Sequence, residues 1–92
     1  MSRYARKVDS NQADIVAALR WAGCDVTVMS AVGHGMSDLL VTRAGLNYLI
    51  ETKTEKGKLT TAQIKFHAKH NVHIVRSRIQ ALEAVGLIGY EN

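Results

Sequence analysis

The stretch Ser37-Asp38-Leu39-Leu40-Val41-Thr42-Arg43-Ala44-Gly45-Leu46-Asn47-Tyr48-Leu49-Ile50-Glu51-Thr52-Lys53 decides how this chain folds. Two apolar-rich runs, about Ser37 to Thr42 and Leu46 to Lys53, flank Arg43-Ala44-Gly45, which is a hairpin signature. If the loop is Ala44-Gly45, Arg43 faces Leu46 and the numbers of paired residues add to 89. Asp38 then stands directly opposite Glu51, where Cβ atoms lie roughly 4.5–5.5 Å apart. A three-residue loop would stagger the two carboxylates instead. Lys53 shares a face with Glu51, because side chains on a strand alternate with period two.

Working outward, Leu39-Leu40-Val41 and Leu49-Ile50 are apolar on both faces, so the sheet should be covered on both sides. Upstream, Gly33-His34-Gly35 marks a loop, and Cys24 to Ser30 alternates with Val26 and Val28 on one side, as a half-buried strand does. Residues 10–22 read as a helix. Asp9 can cap it with Gln12 three positions on, Ile15, Ala18, Leu19 and Ala22 form an apolar stripe, and Gly23 suits a left-handed terminus. Downstream, Thr60 with Gln63 makes a second capping box, and Leu59 with Ile64 has the spacing of a hydrophobic staple. That helix should run to about His70. A short strand, Val72 to Arg76, and a last helix, Ile79 to Val85 ended by Gly86, complete the order α-β-β-β-α-β-α. The β-α-β unit demands a parallel, right-handed crossover, while the earlier connections suit antiparallel pairing. A mixed α/β sheet is expected.

The 92 residues fit one domain spanning 1–92, with residues 1–8 as a basic arm. No apolar run approaches the roughly 18 residues of a membrane helix, and no apolar stretch follows Met1 to Lys7 as a signal peptide requires. The lone Cys24 excludes an internal disulfide, so a reduced, cytoplasmic setting is expected. A net charge of +4 favours a polyanionic partner, since Lys and Arg that neutralise phosphates release counterions.

Two carboxylates converging at the end of a hairpin need a reason. A divalent cation supplies one: Mg²⁺ takes oxygen ligands, usually one or two carboxylates with water completing the octahedron. The cation offsets the repulsion, lowers the pKa of a bound water and stabilises charge building on a phosphate. Lys53 beside it would orient or activate that water, or neutralise developing charge. The bland alternative is an exposed hairpin carrying three ordinary surface charges.

Gly35-Met36-Ser37-Asp38-Leu39-Leu40-Val41 followed by Tyr48-Leu49-Ile50-Glu51-Thr52-Lys53 resembles the two halves of the PD-(D/E)XK nuclease motif. More narrowly, the glycine loop before Asp38 and the segment Lys56-Gly57-Lys58-Leu59-Thr60-Thr61-Ala62-Gln63 resemble the stand-alone VRR-NUC proteins carried by phages. The likeness covers about residues 7 to 85. It implies a minimal restriction-endonuclease-like fold, Mg²⁺ with Mn²⁺ able to substitute, and hydrolysis of DNA phosphodiesters. It further implies a branched substrate, the Holliday junction, cut by a homodimer. On this likeness Asp38 and Glu51 bind the metal with the carbonyl of Thr52, Lys53 acts at the attacking water, and Gln63 points back into the site. Many relatives carry a glutamate in the first helix that completes the metal site; here Asp14 is the nearest acidic equivalent, and solvated surface charge is its other reading. Ser37 replaces the motif's proline, a position that mainly shapes the backbone.

Several residues keep two readings. Gln63 can serve the metal, its own capping box, or both. Lys56 and Lys58 would meet DNA phosphates, with Lys65, His34 and the arm residues Arg3, Arg6 and Lys7 as further backbone contacts. A solvated surface is the plain alternative for each. His67, His70 and His73 are spaced by three, but no cysteine or carboxylate completes a tetrahedral zinc set beside them. Trp21, ending the first helix, suits the core or a dimer interface. A catalytically silent DNA-binding module is the rival of the enzyme.

Overall fold

The computed structural model describes residues 10–87. The Asp9 cap and the arm residues Arg3, Arg6 and Lys7 lie outside that range. Seven elements follow in the order α1 (Ser10–Trp21), β1 (Asp25–Val28), β2 (Leu39–Arg43), β3 (Leu46–Thr52), α2 (Thr61–Lys69), β4 (Val72–Val75) and α3 (Arg78–Ala84). They build one four-stranded mixed sheet ordered β1-β2-β3-β4, antiparallel except for the parallel β3–β4 pair. The fold class and element order are those expected from the pattern. Among the described residues no helix is long and apolar enough to cross a membrane.

The hairpin turns on two residues. Ala44 (φ 53) and Gly45 (φ 81) both take positive φ, as a type I′ turn requires. Arg43 therefore pairs with Leu46, and Leu39 with Ile50, so the register is the one in which paired numbers add to 89. Its consequence for packing is immediate. Leu39, Val41 and Ile50 point to one face, where they bury with Val26 and Val75 of the outer strands. Ile15, Val16 and Leu19 of α1 and Ala81 and Val85 of α3 close over that face to form the core. Each fully buried aliphatic side chain contributes about 1.5–3 kcal/mol.

Helix ends are fixed locally. Gly23 (φ 94) ends α1: its N–H reaches the Arg20 carbonyl, and the Cys24 N–H reaches that of Leu19, a Schellman pair. Gly86 (φ 80) ends α3 in the same way, with Leu87 N–H donating to the Leu82 carbonyl. Arg43 Nη1 donates to the Val85 carbonyl, tying that helix end to the hairpin. Cys24 is buried, which pushes its thiol above the ordinary value, against a smaller opposing pull from Arg43.

The second face of the sheet is covered less than its apolar pattern suggests. Helix α2 contributes no buried residue, and Leu40 and Leu49 stay half-buried. What brings α2 there is polar and steric. Gln63 reaches Glu51, which alternates to the face opposite Ile50, and Gly35 lies hard against the start of the helix. A Cβ at Gly35 (φ +80) would collide with the Ala62 carbonyl, so only glycine lets the loop and helix meet.

Candidate active site

The end of β3 gathers the acidic, basic and amide groups singled out in the sequence. Glu51 is 1% exposed. Its Oε2 accepts a hydrogen bond from Gln63 Nε2 at 3.0 Å, and Lys53 Nζ stands 3.9 Å from the same oxygen. Asp38 sits one residue before β2. Its Oδ2 accepts from both the N–H and the Oγ1 of Thr52, each at 2.9 Å, while Oδ1 has a longer contact of 3.4 Å from Ser30 Oγ. Both carboxylates are thus anchored to the segment Glu51–Lys53. A strand residue's own N–H and C=O point to the same side, so the Thr52 carbonyl lies on the Asp38 side as well.

Gln63 caps its own helix and also reaches Glu51. Thr60 N–H donates to Gln63 Oε1 at 2.9 Å, and Gln63 N–H donates to Thr60 Oγ1 at 3.1 Å, which completes the capping box. The side-chain amide has one acceptor and two donors, so the cap uses the oxygen and leaves Nε2 for Glu51. Helix start and carboxylate are fastened by one side chain.

The first helix meets the site through residues other than the expected one. Asp14 pairs with Arg78 on the outer surface (3.4 Å), both side chains being well exposed. Gln12 takes the place at the carboxylate end instead: its Oε1 lies 3.2 Å from Thr52 Oγ1, whose one proton serves Asp38 at the shorter distance, and its Nε2 donates to Ser30 Oγ at 3.0 Å. Two positions apart on a helix is about 200° of rotation, so α1 can present Gln12 or Asp14 to the sheet, not both. Asn11 lies beside it, its Nδ2 donating to the Lys53 carbonyl at 2.7 Å and, more weakly, to that of Arg76 at 3.4 Å.

Arg76, which the sequence reading passed over, holds the loop beyond Lys53. Its Nη1 donates to the carbonyls of Thr54 (2.7 Å), Gly57 (2.8 Å) and Glu55 (3.2 Å). Lys56 and Lys58 are exposed on that clamped loop. The three histidines go three ways: His67 lies beside Lys53, His70 stacks on Phe66 at 4.1 Å, and His73 tilts against Tyr48 at 5.9 Å. His67 stands one turn from Gln63 on the same face of α2, and its Nε2 is buried with no hydrogen-bond partner among the described residues. Burial first, and the Lys53 ammonium second, push its pKa below the ordinary 6.5. The i, i+4 spacing of Gln63 and His67 was the available signal for it.

The donor set can be weighed for a cation. Among the described residues no group of three or more His, Cys, Asp and Glu side chains is placed to hold one. Two carboxylates with a carbonyl nearby match what Mg²⁺ asks of a protein, the remaining positions falling to water. The oxygen-only character of Asp38, Glu51 and Thr52 also suits Mn²⁺ and disfavours a soft metal. No protein-family model, curated protein or solved structure matches the chain.

Proposed function

We propose that this chain is a divalent-cation-dependent endodeoxyribonuclease of the PD-(D/E)XK type, akin to stand-alone VRR-NUC proteins, acting as a homodimer on branched DNA. The observation that carries the reading is the gathering of Asp38, Glu51, Lys53 and Gln63 at one strand end, with Glu51 buried. A buried carboxylate costs several kcal/mol of desolvation, which a merely structural residue has little reason to retain. Asp38 and Glu51 would hold Mg²⁺ or Mn²⁺ with the Thr52 carbonyl. When bound, the cation supplies Lewis acidity at the scissile phosphate. Gln63 Nε2 fixes the Glu51 rotamer, and Thr52 fixes that of Asp38, so neither carboxylate has to reorganise as charge develops. Lys53 Nζ, beside Glu51, orients the attacking water or neutralises charge on the phosphate oxygens.

Lys56, Lys58, Lys65 and His34 are all exposed and would follow the DNA backbone, a sequence-independent use of charge. For the homodimer, support comes from an apolar groove of about 430 Å³ between α1 and α3, where Trp21 is 91% and Ile79 55% exposed. The test is incubation of the protein with four-way junction, flap, linear duplex and single-stranded DNA in Mg²⁺, Mn²⁺ or EDTA. Junction cutting that needs the metal, and falls at least about 10³-fold in Asp38→Asn and Lys53→Ala, is the expected result. Binding without cutting in every metal would leave a silent DNA-binding module. A clean monomer by light scattering at working concentration would remove the dimer.

A further inference from the structure

The outer face of α2 carries a pocket that the carboxylate site does not use. It has a volume of about 320 Å³ and is lined by His34, Ala62, Lys65, Phe66, Lys69 and His70. Residues 62, 65, 66, 69 and 70 form one helical stripe, and Gln63 and His67 belong to the neighbouring one that faces Glu51 and Lys53. The other wall comes from the glycine loop, because the approach of Gly35 to Ala62 delivers His34 (φ 58) to the helix. Pocket and carboxylates therefore share one wall, α2.

Its chemistry is specific in kind. Phe66 and His70 are stacked with centroids 4.1 Å apart and planes inclined by 27°, which offers a flat π surface. Lys65 and Lys69 place two ammonium groups at its edge, both exposed, and His34 adds a ring donor or acceptor opposite. Among the described residues no carboxylate lines the pocket to compete for the lysines. A flat ring next to paired cations is what a nucleotide needs, base on the aromatic surface and phosphate at the ammonium groups.

We infer that this pocket holds one unpaired nucleotide of the DNA strand, its base lying on the Phe66–His70 stack and its phosphate between Lys65 and Lys69. The inference rests on the nuclease reading for the identity of the polymer, and it explains how a small domain could prefer DNA with a base freed at a flap, a tail or an opened branch point over continuous duplex. Only a strand with a base out of the duplex can fill the pocket while its backbone runs on across α2 to the carboxylates.

The test separates binding from cutting. In EDTA, fluorescence anisotropy compares the full chain on a blunt duplex and on the same duplex with a three-nucleotide unpaired tail. The expected result is about tenfold tighter binding of the tailed DNA, reduced to near parity by Phe66→Leu, as loss of one base stack predicts. His70→Ala, at an exposed side chain, gives the same reading if Phe66→Leu does not fold. Lys65→Gln with Lys69→Gln should flatten the salt dependence on tailed DNA by about 1.4 in log–log slope, two phosphate contacts on a single strand. Equal affinity for both DNAs, or a tail preference untouched by all these variants, would overturn the pocket while metal-dependent cutting still stands. A tail preference in a protein that cuts nothing in Mg²⁺ or Mn²⁺ would instead keep the pocket and remove the nuclease.

Discussion

Replacing Gln63 by glutamate sets the two tasks of this side chain against each other, and the sign of the stability change decides between them. Glutamate keeps an oxygen for the Thr60 N–H, so the capping box survives. A negative charge in the first turn adds about 0.3–1 kcal/mol with the helix dipole. A residue that served only as a cap would therefore leave the protein unchanged or slightly more stable. The link to Glu51 works the other way. Gln63→Glu removes a hydrogen bond to a charged group, worth about 1.5–3 kcal/mol, and sets a second carboxylate where Nε2 stood 3.0 Å from Oε2. Coulomb repulsion at that distance would reach about 5 kcal/mol at an effective dielectric of 20, an upper bound because the new side chain can swing into solvent. The net expectation is a loss of about 2 kcal/mol, or about 8–16 °C in Tm for a domain this small. Circular-dichroism melts in EDTA read it directly, and excess Mg²⁺ should narrow the gap, since a cation that binds the native state stabilises it by linkage. An unchanged or raised Tm in EDTA would refute the argument and reduce Gln63 to a cap.

Three further outcomes follow from the same geometry. Arg76→Ala frees the Thr54, Glu55 and Gly57 carbonyls together, so urea melts should show a loss of about 1.5–3 kcal/mol, with faster tryptic cleavage after Lys56 and Lys58. Gly35→Ala combines a positive φ with a collision against backbone, and should cost about 2–4 kcal/mol by the same melts. His67→Gln should flatten the acid limb of the stability–pH curve. With its pKa depressed by burial and then by Lys53, His67 binds fewer protons folded than unfolded; its stabilisation is complete above about 6.5 and is lost as pH falls through the folded value. Equal acid sensitivity of wild type and variant would contradict this.

The elements that the sequence made legible are those governed by neighbours along the chain. Ala44-Gly45 can make a two-residue turn, and that alone settles the β2–β3 register as far as the Leu39–Ile50 pair, with Asp38 one residue beyond it and bonded to Thr52. Thr60 and Gln63 likewise announce the start of α2 three residues apart. The strands proved shorter than their apolar runs: β1 stops at Val28 and β2 begins at Leu39, with one further backbone bond from Met29 N–H to the Asp38 carbonyl before Ser30 Oγ reaches the Asp38 side chain across the gap. What the chain did not disclose depends on how one element is rotated against another. The choice of Gln12 over Asp14 is a matter of α1's phase, set by Ile15, Val16 and Leu19 seating in the core. The acidic residue is two positions away from the one that fits. Arg76 and Asn11 join strand ends that are far apart in sequence, so no local pattern reveals them. The coverage of the second sheet face was overestimated because half-buried Leu40 and Leu49 look the same in sequence as buried ones.

No residue of helix α2 is fully buried, so the helix is ordered by what it touches more than by what it hides. An isolated nine-residue helix is marginal in water, and its cap and its tie to Glu51 are one residue. Disturbing the charge on that carboxylate therefore disturbs the helix, and a helix pulled out of place withdraws the amide from the carboxylate. On the nuclease reading, the strand end and the surface above it would respond together, and a cation taken up at Glu51 would be felt through α2 at Lys65 and Lys69. For so small a protein that would be a short route from chemistry to grip: the turn of helix that steadies the acid would also set how firmly a bound strand is held.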